Sequence, residues 1–224
     1  MRVLLFDIDG TLLAGAGAGR NALEDAFFAL YGTRLEIAPP RLSGRTDRGI
    51  TLELLREHRL LGTQQEETAF HRVMEEYIRR LPERLKRAPG TLLPGVPTLL
   101  NHLKAEPGVV MGLLTGNIRL GSTHKLAQFG LNDFFSFGGF GDLHEDRDDV
   151  AREALAALGP SIKPEEVWVI GDTPLDIRCA RAIGAKVLAV ATGGHPLHEL
   201  ATHRPDLLLE NLADTTAVRS ALLK

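Results

Sequence analysis

Cysteine occurs once in the 224 residues, as Cys179 in the stretch "DIRCARAIGA". A single thiol excludes an intramolecular disulfide and a CxxC zinc site, and its setting points to a helix face turned toward a core. Long apolar runs are also missing: none nears the roughly 18 residues that a membrane-crossing helix needs. No charged start followed by an extended apolar stretch marks a signal peptide, so the cytoplasm is the expected location. Basic residues are not in excess, since Lys and Arg total 26 against 29 Asp and Glu, a net charge of −3. Nucleic acid is therefore not the expected partner, and a small anionic substrate would need local cations. Internal repeats are absent, and the only low-complexity tract is a short Ala/Gly joint. Oligomeric state is not readable from the pattern.

What is present is a core-forming chain with 44% apolar residues. Short apolar runs at Val3 to Phe6, Val109 to Leu114, Val167 to Ile170 and Lys186 to Val190 alternate with helical patterns such as Ile118 to Phe129 and Val150 to Leu158. This βα alternation predicts an α/β fold, a Rossmann-like parallel sheet between two helical layers. Asp206 to Leu209 adds a candidate edge strand. Between Gly15 and about Pro94 the strand signal vanishes, and "NALEDAFFALYG", "ITLELLREHRLL" and "EETAFHRVMEEYIRRLPERLKRA" are all amphipathic at helical spacing. The expected division is a core of 1–14 and 92–224 with a helical insert at 15–91, joined through "AGAGAG" and "APGTLLPGVP", which have hinge-like composition. The glycines 15, 17 and 19 mimic a dinucleotide fingerprint, but Arg20 stands where the third glycine belongs and no acidic ribose contact follows at the usual spacing.

Chemistry is concentrated at strand ends. Asp7 and Asp9 close the first apolar run in "LLFDIDGTLL", Thr115-Gly116-Asn117 closes the second, and Gly171-Asp172 closes the third, followed by Thr173-Pro174-Leu175-Asp176. Acids after a strand can simply bond turn amides. If the three strands are neighbours, however, Asp7, Asp9, Thr115 and Asp172 meet at one sheet edge, where open α/β sheets bind ligands. Carboxylates about 4 Å apart repel by about 4 kcal/mol at an effective dielectric of 20, or about three pKa units. A divalent cation resolves that conflict, and an all-oxygen donor set favours Mg²⁺.

The three motifs "DIDGT", "LLTGN" and "VIGDTPLDI", in this order and each at a strand end, resemble the haloacid dehalogenase superfamily of aspartate-nucleophile phosphohydrolases, and the insert looks like the helical cap that this family places after its first motif. The resemblance spans the whole chain. It implies that Asp7 attacks phosphorus and forms an aspartyl phosphate, and that Asp9 protonates the leaving oxygen and then activates water. It further implies Mg²⁺ held by the Asp7 carboxylate, the Asp9 backbone carbonyl and Asp172, with Asp176 reaching the metal site. Phosphoryl oxygens would be held by Thr115 and the amides of Gly116 and Asn117. Thr115 also suits a plain helix cap, and Asp176 the third residue of a helix capped by Thr173; these roles can coexist with the chemical ones.

The chain departs from the family at the third motif, where a lysine is usual. Arg147 in "HEDRDDVAREAL" takes the expected place, about 25 residues before Asp172, with Lys163 in "IKPEEV" as the alternative. Arginine can span phosphoryl oxygen and carboxylate with one planar fork. In the insert, "SGRTDRGI" looks like the segment that phosphoglycolate phosphatase-like members present to substrate, offering Arg45, Thr46 and Asp47; Arg45 equally suits an exposed loop. His195, His198 and His203 contain an HxxH pattern but no third zinc ligand at a recognisable spacing. The reading is a Mg²⁺-dependent phosphatase of small phosphorylated metabolites. A dehalogenase would not need the acid at Asp9. A phosphomutase commonly carries an acid before the fourth-motif aspartate, where this chain has Gly171. A phosphate-sensing regulator would not need Asp9.

Overall fold

The structure, a computed structural model, describes residues 1–224 apart from the side chain of Pro40. In chain order the elements are β1 (Arg2–Phe6), β2 (Leu13–Ala14), α1 (Ala18–Tyr31), α2 (Asp47–Glu57), α3 (Glu66–Arg87), β3 (Thr91–Leu92), α4 (Val96–Lys104), β4 (Val109–Leu114), α5 (Arg119–Ala127), β5 (Gly138–Gly139), α6 (Arg147–Ala157), β6 (Val167–Gly171), α7 (Pro174–Ala182), β7 (Lys186–Val190), α8 (Leu197–Thr202), β8 (Leu207–Leu209) and α9 (Thr215–Leu222).

Six strands form one parallel sheet in the order β5-β4-β1-β6-β7-β8. Strand side chains alternate between faces, and both faces here are apolar. Leu4, Phe6, Met111, Leu113, Trp168 and Ile170 pack with Val96, Leu99, Leu100 and Leu103 of α4 and Val218 and Leu222 of α9. Val3, Leu5, Val167, Val169 and Val187 pack on the other side with Val150 and Ala154 of α6 and Ile177 and Ala180 of α7. Cys179 lies in that second layer, fully buried, and burial pushes its thiol up to about 12, which leaves it un-ionised and inert at neutral pH. The α/β expectation is met. The two-residue β5, made of glycines, carried no apolar signal to read.

The helices α1, α2 and α3 bury a core of their own. In α3 the residues Phe70, Val73, Met74, Tyr77, Leu81 and Leu85 recur at three- and four-residue spacing and meet Phe27 of α1 and Leu55 of α2. Each such fully buried Leu or Phe contributes roughly 2–3 kcal/mol, so Leu81→Asp would unseat this layer. The chain enters and leaves this helical part through β2 and β3, which pair antiparallel with Leu13 opposite Leu92. That ribbon is a stiffer joint than the Ala/Gly composition of 14–19 suggests.

The order of strands positions the site. Because β1 lies between β4 and β6, the residues that follow all three strands come together at their carboxyl ends.

Candidate active site

Asp7 follows β1 directly, and its amide still bonds Ile170 O at 2.9 Å, so its position is fixed by the sheet ladder. The residue is buried, with 4% of its surface exposed. Arg147, the first residue of α6, is equally buried and donates from Nη2 to Asp7 Oδ1 (2.9 Å), Leu114 O (2.9 Å) and Asp176 Oδ1 (2.5 Å). Its Nη1 donates to Gly44 O of the insert at 3.1 Å. Burial opposes the charge of Arg147, yet Asp176 and Asp7 hold its pKa above that of a free guanidinium. Lys163, the alternative, is exposed at the start of the turn before β6.

Asp172 and Asp176 complete an acidic cluster. One carboxylate oxygen from each of Asp7, Asp172 and Asp176 lies within 4.8 Å of the others. Burial raises Asp7 to about 6, with Asp176 and Asp9 adding to it and Arg147 opposing. Asp172 is raised well above the usual carboxylate range, by burial and then by Asp176 and Asp7, although Thr11 Oγ1 donates to its Oδ1 at 3.1 Å. Asp176 is fully buried; its Oδ2 accepts from Thr173 N (3.0 Å) and Thr173 Oγ1 (2.7 Å), while Thr173 Oγ1 accepts from Asp176 N (3.2 Å). The helix-start and cluster roles therefore do coexist in Asp176. One arginine for three clustered carboxylates leaves the group short of positive charge, and hard oxygen donors at this spacing fit Mg²⁺.

Asp9 is built differently. Its side chain is 41% exposed and turns away from the three-acid cluster, accepting at Oδ2 from Asn117 Nδ2 (2.8 Å) and Lys125 Nζ (2.6 Å). Lys125, on α5 two turns beyond Asn117, also donates to Asn117 Oδ1 at 2.6 Å and is itself buried. Thr115 is fully buried, and its hydroxyl accepts from Asn117 N (3.3 Å) and Asn117 Nδ2 (2.9 Å), which leaves the hydroxyl proton free to donate. Gly116 is pressed by the insert: its carbonyl accepts from Asp47 N at 2.7 Å, and a Cβ here would sit 1.9 Å from Arg45 O.

The insert residues are placed less uniformly. Thr46 is fully buried at the start of α2, donating to Glu145 O (2.8 Å) and accepting from Gly49 N (3.0 Å). It holds the insert to the core and does not line the cavity. Arg45 lines the cavity, but its guanidinium is committed to Glu53 Oε2 (2.6 Å) and Arg41 O (3.4 Å). Asp47 lines the cavity, accepts from Ile118 N at 2.8 Å, and is raised by burial to about 6. His195 bonds Ser43 Oγ through Nε2 (3.0 Å) and Glu199 through Nδ1 (2.8 Å); because a carboxylate only accepts, Nδ1 carries a proton, and in the neutral ring Nε2 accepts from Ser43. His198 and His203 are exposed, and no histidine joins a metal-type cluster among the described residues.

These groups surround one cavity of about 550 Å³ between sheet edge and insert. Sequence reasoning missed Lys125, Tyr77 and Arg20 on its walls. Only Lys125 left a signal, as a lysine eight residues after Asn117, one helical turn beyond the small residues Gly121 and Ser122 and next to Leu126.

The family model of the haloacid dehalogenase-like hydrolases matches residues 4–181, and a second HAD-hydrolase-like model matches 148–215. The chain belongs to this hydrolase family. A phosphoglycolate phosphatase of Photorhabdus laumondii is 27% identical over 217 residues, spanning 96% of this chain and 90% of that protein. Among solved structures, a haloacid dehalogenase-like family hydrolase of Streptococcus pneumoniae superposes with a TM-score of 0.69 at 21% identity, covering 97% of this chain and 98% of that one. CbbY of Rhodobacter sphaeroides, solved with phosphate, gives 0.68 at 22% identity, with 96% of each chain covered. At those identities the structural likeness shows the shared fold.

Proposed function

We propose that this hydrolase is a Mg²⁺-dependent phosphatase of small phosphomonoesters, acting in the cytoplasm, with residues 15–91 as a cap over the site. The observation that carries the reading is the shared Arg147 contact: one guanidinium nitrogen bonds both Asp7 and Asp176, beside Asp172 and beneath the insert loop. In this reading Asp7 is the nucleophile. An Asp7 carboxylate oxygen bonds phosphorus while the phosphorus–oxygen bond to the leaving group breaks, and Asp9 gives its proton to the departing oxygen. Asp9 then takes a proton from water, the water oxygen attacks phosphorus, and the bond to Asp7 breaks, releasing phosphate and restoring the carboxylate.

Thr115, with the amides of Gly116 and Asn117, donates to phosphoryl oxygens, and Arg147 balances charge on both Asp7 and phosphate. Asp7, Asp172, Asp176 and the Asp9 carbonyl would hold Mg²⁺, which supplies charge neutralisation between nucleophile and phosphate. Lys125 and Asn117 orient the Asp9 carboxylate. Phosphatase is favoured over phosphomutase by Gly171, because a Cβ there would lie 2.1 Å from Asp176 Cγ, leaving no room for an acidic side chain without dismantling the Arg147–Asp176 pair.

The experiment is phosphate release from a panel of small phosphomonoesters with Mg²⁺ or EDTA, for wild type, Asp7→Asn and Asp9→Asn. Metal-dependent release lost in both variants is expected. Turnover surviving in Asp7→Asn, or no release from any ester, would end this reading.

A further inference from the structure

The basic side chains on the cavity wall differ in whether their hydrogen-bonding capacity is already spent. Arg147 is ion-paired with Asp7 and Asp176, although its own Nε is buried without a partner. Lys125 is bound by Asp9 and Asn117. Arg45 is bound by Glu53, and His195 by Glu199 and Ser43. Arg20 is the fifth, and among the described residues no acceptor reaches it: its Nε is buried without a hydrogen-bond partner while the residue lines the cavity. Asp47 and Asp172, the cavity acids with no cation in ion-pair contact, accept instead from the Ile118 amide and the Thr11 hydroxyl.

An arginine has five N–H donors, no acceptor, and a charge it does not lose at any accessible pH. Such a guanidinium on a cavity wall with no carboxylate in ion-pair contact keeps its charge unanswered until an oxyanion arrives. Arg20 sits in the first turn of α1, which has no side-chain cap and no acidic residue to answer the positive end of its dipole. It belongs to the insert, whereas Thr115 and Arg147 belong to the sheet edge, and all three line the same cavity as Asp7. A cavity of about 550 Å³ has room for more than the phosphoryl group.

We propose that Arg20 anchors a second anionic group of the substrate, so that the natural substrate is a phosphomonoester bearing a carboxylate or a second phosphate on its leaving-group side. This rests on the phosphatase reading and deepens it. It also moves the anchoring role from Arg45, which Glu53 occupies, to a residue outside the "SGRTDRGI" segment.

The test compares wild type, Arg20→Lys and Arg20→Met on matched esters: phosphoglycolate against ethyl phosphate, and propanediol bisphosphate against propyl phosphate. The readout is the ratio of kcat/KM within each pair. Wild type is expected to favour the doubly anionic member, and Arg20→Met to lower that ratio roughly 10- to 100-fold through KM, with partial rescue in Arg20→Lys. A preference confined to one pair identifies the second group as carboxylate or phosphate. A ratio near one in wild type, or a ratio unchanged in Arg20→Met, overturns the proposal, since a merely structural Arg20 would depress both members alike. If wild type hydrolyses none of the four, the phosphatase reading has failed, and calorimetric binding of the same pairs decides the anchor: a preference for the dianion that Arg20→Met abolishes sustains it, and equal or absent binding ends it.

Discussion

Lys125 Nζ lies 2.6 Å from Asp9 Oδ2, and the same ammonium lies 2.6 Å from Asn117 Oδ1. The proposed acid/base is thereby tied to Asn117, whose amide is a proposed phosphoryl donor, through a lysine supplied by the next helix. Lys125→Met keeps most of the unbranched side chain and removes both bonds. Misplacing an acid/base group forfeits part of the roughly 100- to 10,000-fold that such catalysis contributes, so kcat should fall about 10- to 100-fold with little change in KM. Steady-state kinetics on the best ester of the panel checks this, and an unaltered kcat would remove Lys125 from the machinery.

Arg147 should be unforgiving in a different way. Arg147→Met leaves Asp7 and Asp176 buried without a counter-charge, a loss of about 3–5 kcal/mol for a broken buried pair, so both turnover and thermal stability should drop sharply. Arg147→Lys restores charge but cannot bond Asp7, Asp176, Leu114 and Gly44 together, and should retain measurable turnover. Melting curves read beside phosphate release separate the two effects.

Asp47 gives a pH signature. Its carboxyl is raised from 3.8 to about 6 by burial, with Lys125 opposing. Between about pH 4 and 6 the folded chain keeps a proton there that the unfolded chain has released, so raising the pH through that window weakens the fold. The loss should be smaller than the ~3 kcal/mol of a two-unit shift, because Asp47 stays partly open to the cavity. Asp47→Asn, which keeps an oxygen for the Ile118 amide, should lose less stability than wild type from pH 4 to 7 in EDTA. Parallel denaturation curves for the two proteins would contradict it.

Metal should stabilise the protein most where the cluster is ionised. Asp7, raised to about 6, and Asp172, raised well above the usual carboxylate range by burial, bind protons in competition with Mg²⁺. Saturating Mg²⁺ at 100 times its Kd should add about 2.7 kcal/mol at pH 8, with a smaller rise in Tm at pH 5.5. Asp172→Asn should abolish most of the difference; a Tm indifferent to Mg²⁺ in wild type would speak against the site.

Much of the fold is local information. The apolar runs of β1, β4, β6 and β7 are readable because a sheet covered on both faces buries successive strand residues, and the spacing of α3 because a helix buries one face at a period of 3.6. The glycine pair of β5 has no side chains to pattern, so its pairing with β4 emerges only from the folded sheet.

The site divides along the same line. Sequence alone determined which residues end the strands: Asp7, Asp9, Thr115 and Asp172 stand at those ends, and a parallel sheet must expose them together once its strands are adjacent. Only the tertiary structure decided adjacency, with β1 between β4 and β6, and only it decided which cations are already spoken for. Arg45 and Arg20 look alike as letters. One is neutralised by Glu53 and the other meets no acceptor among the described residues, because hydrogen bonding depends on what lies within about 3 Å in space, and chain order does not encode that distance across the cavity.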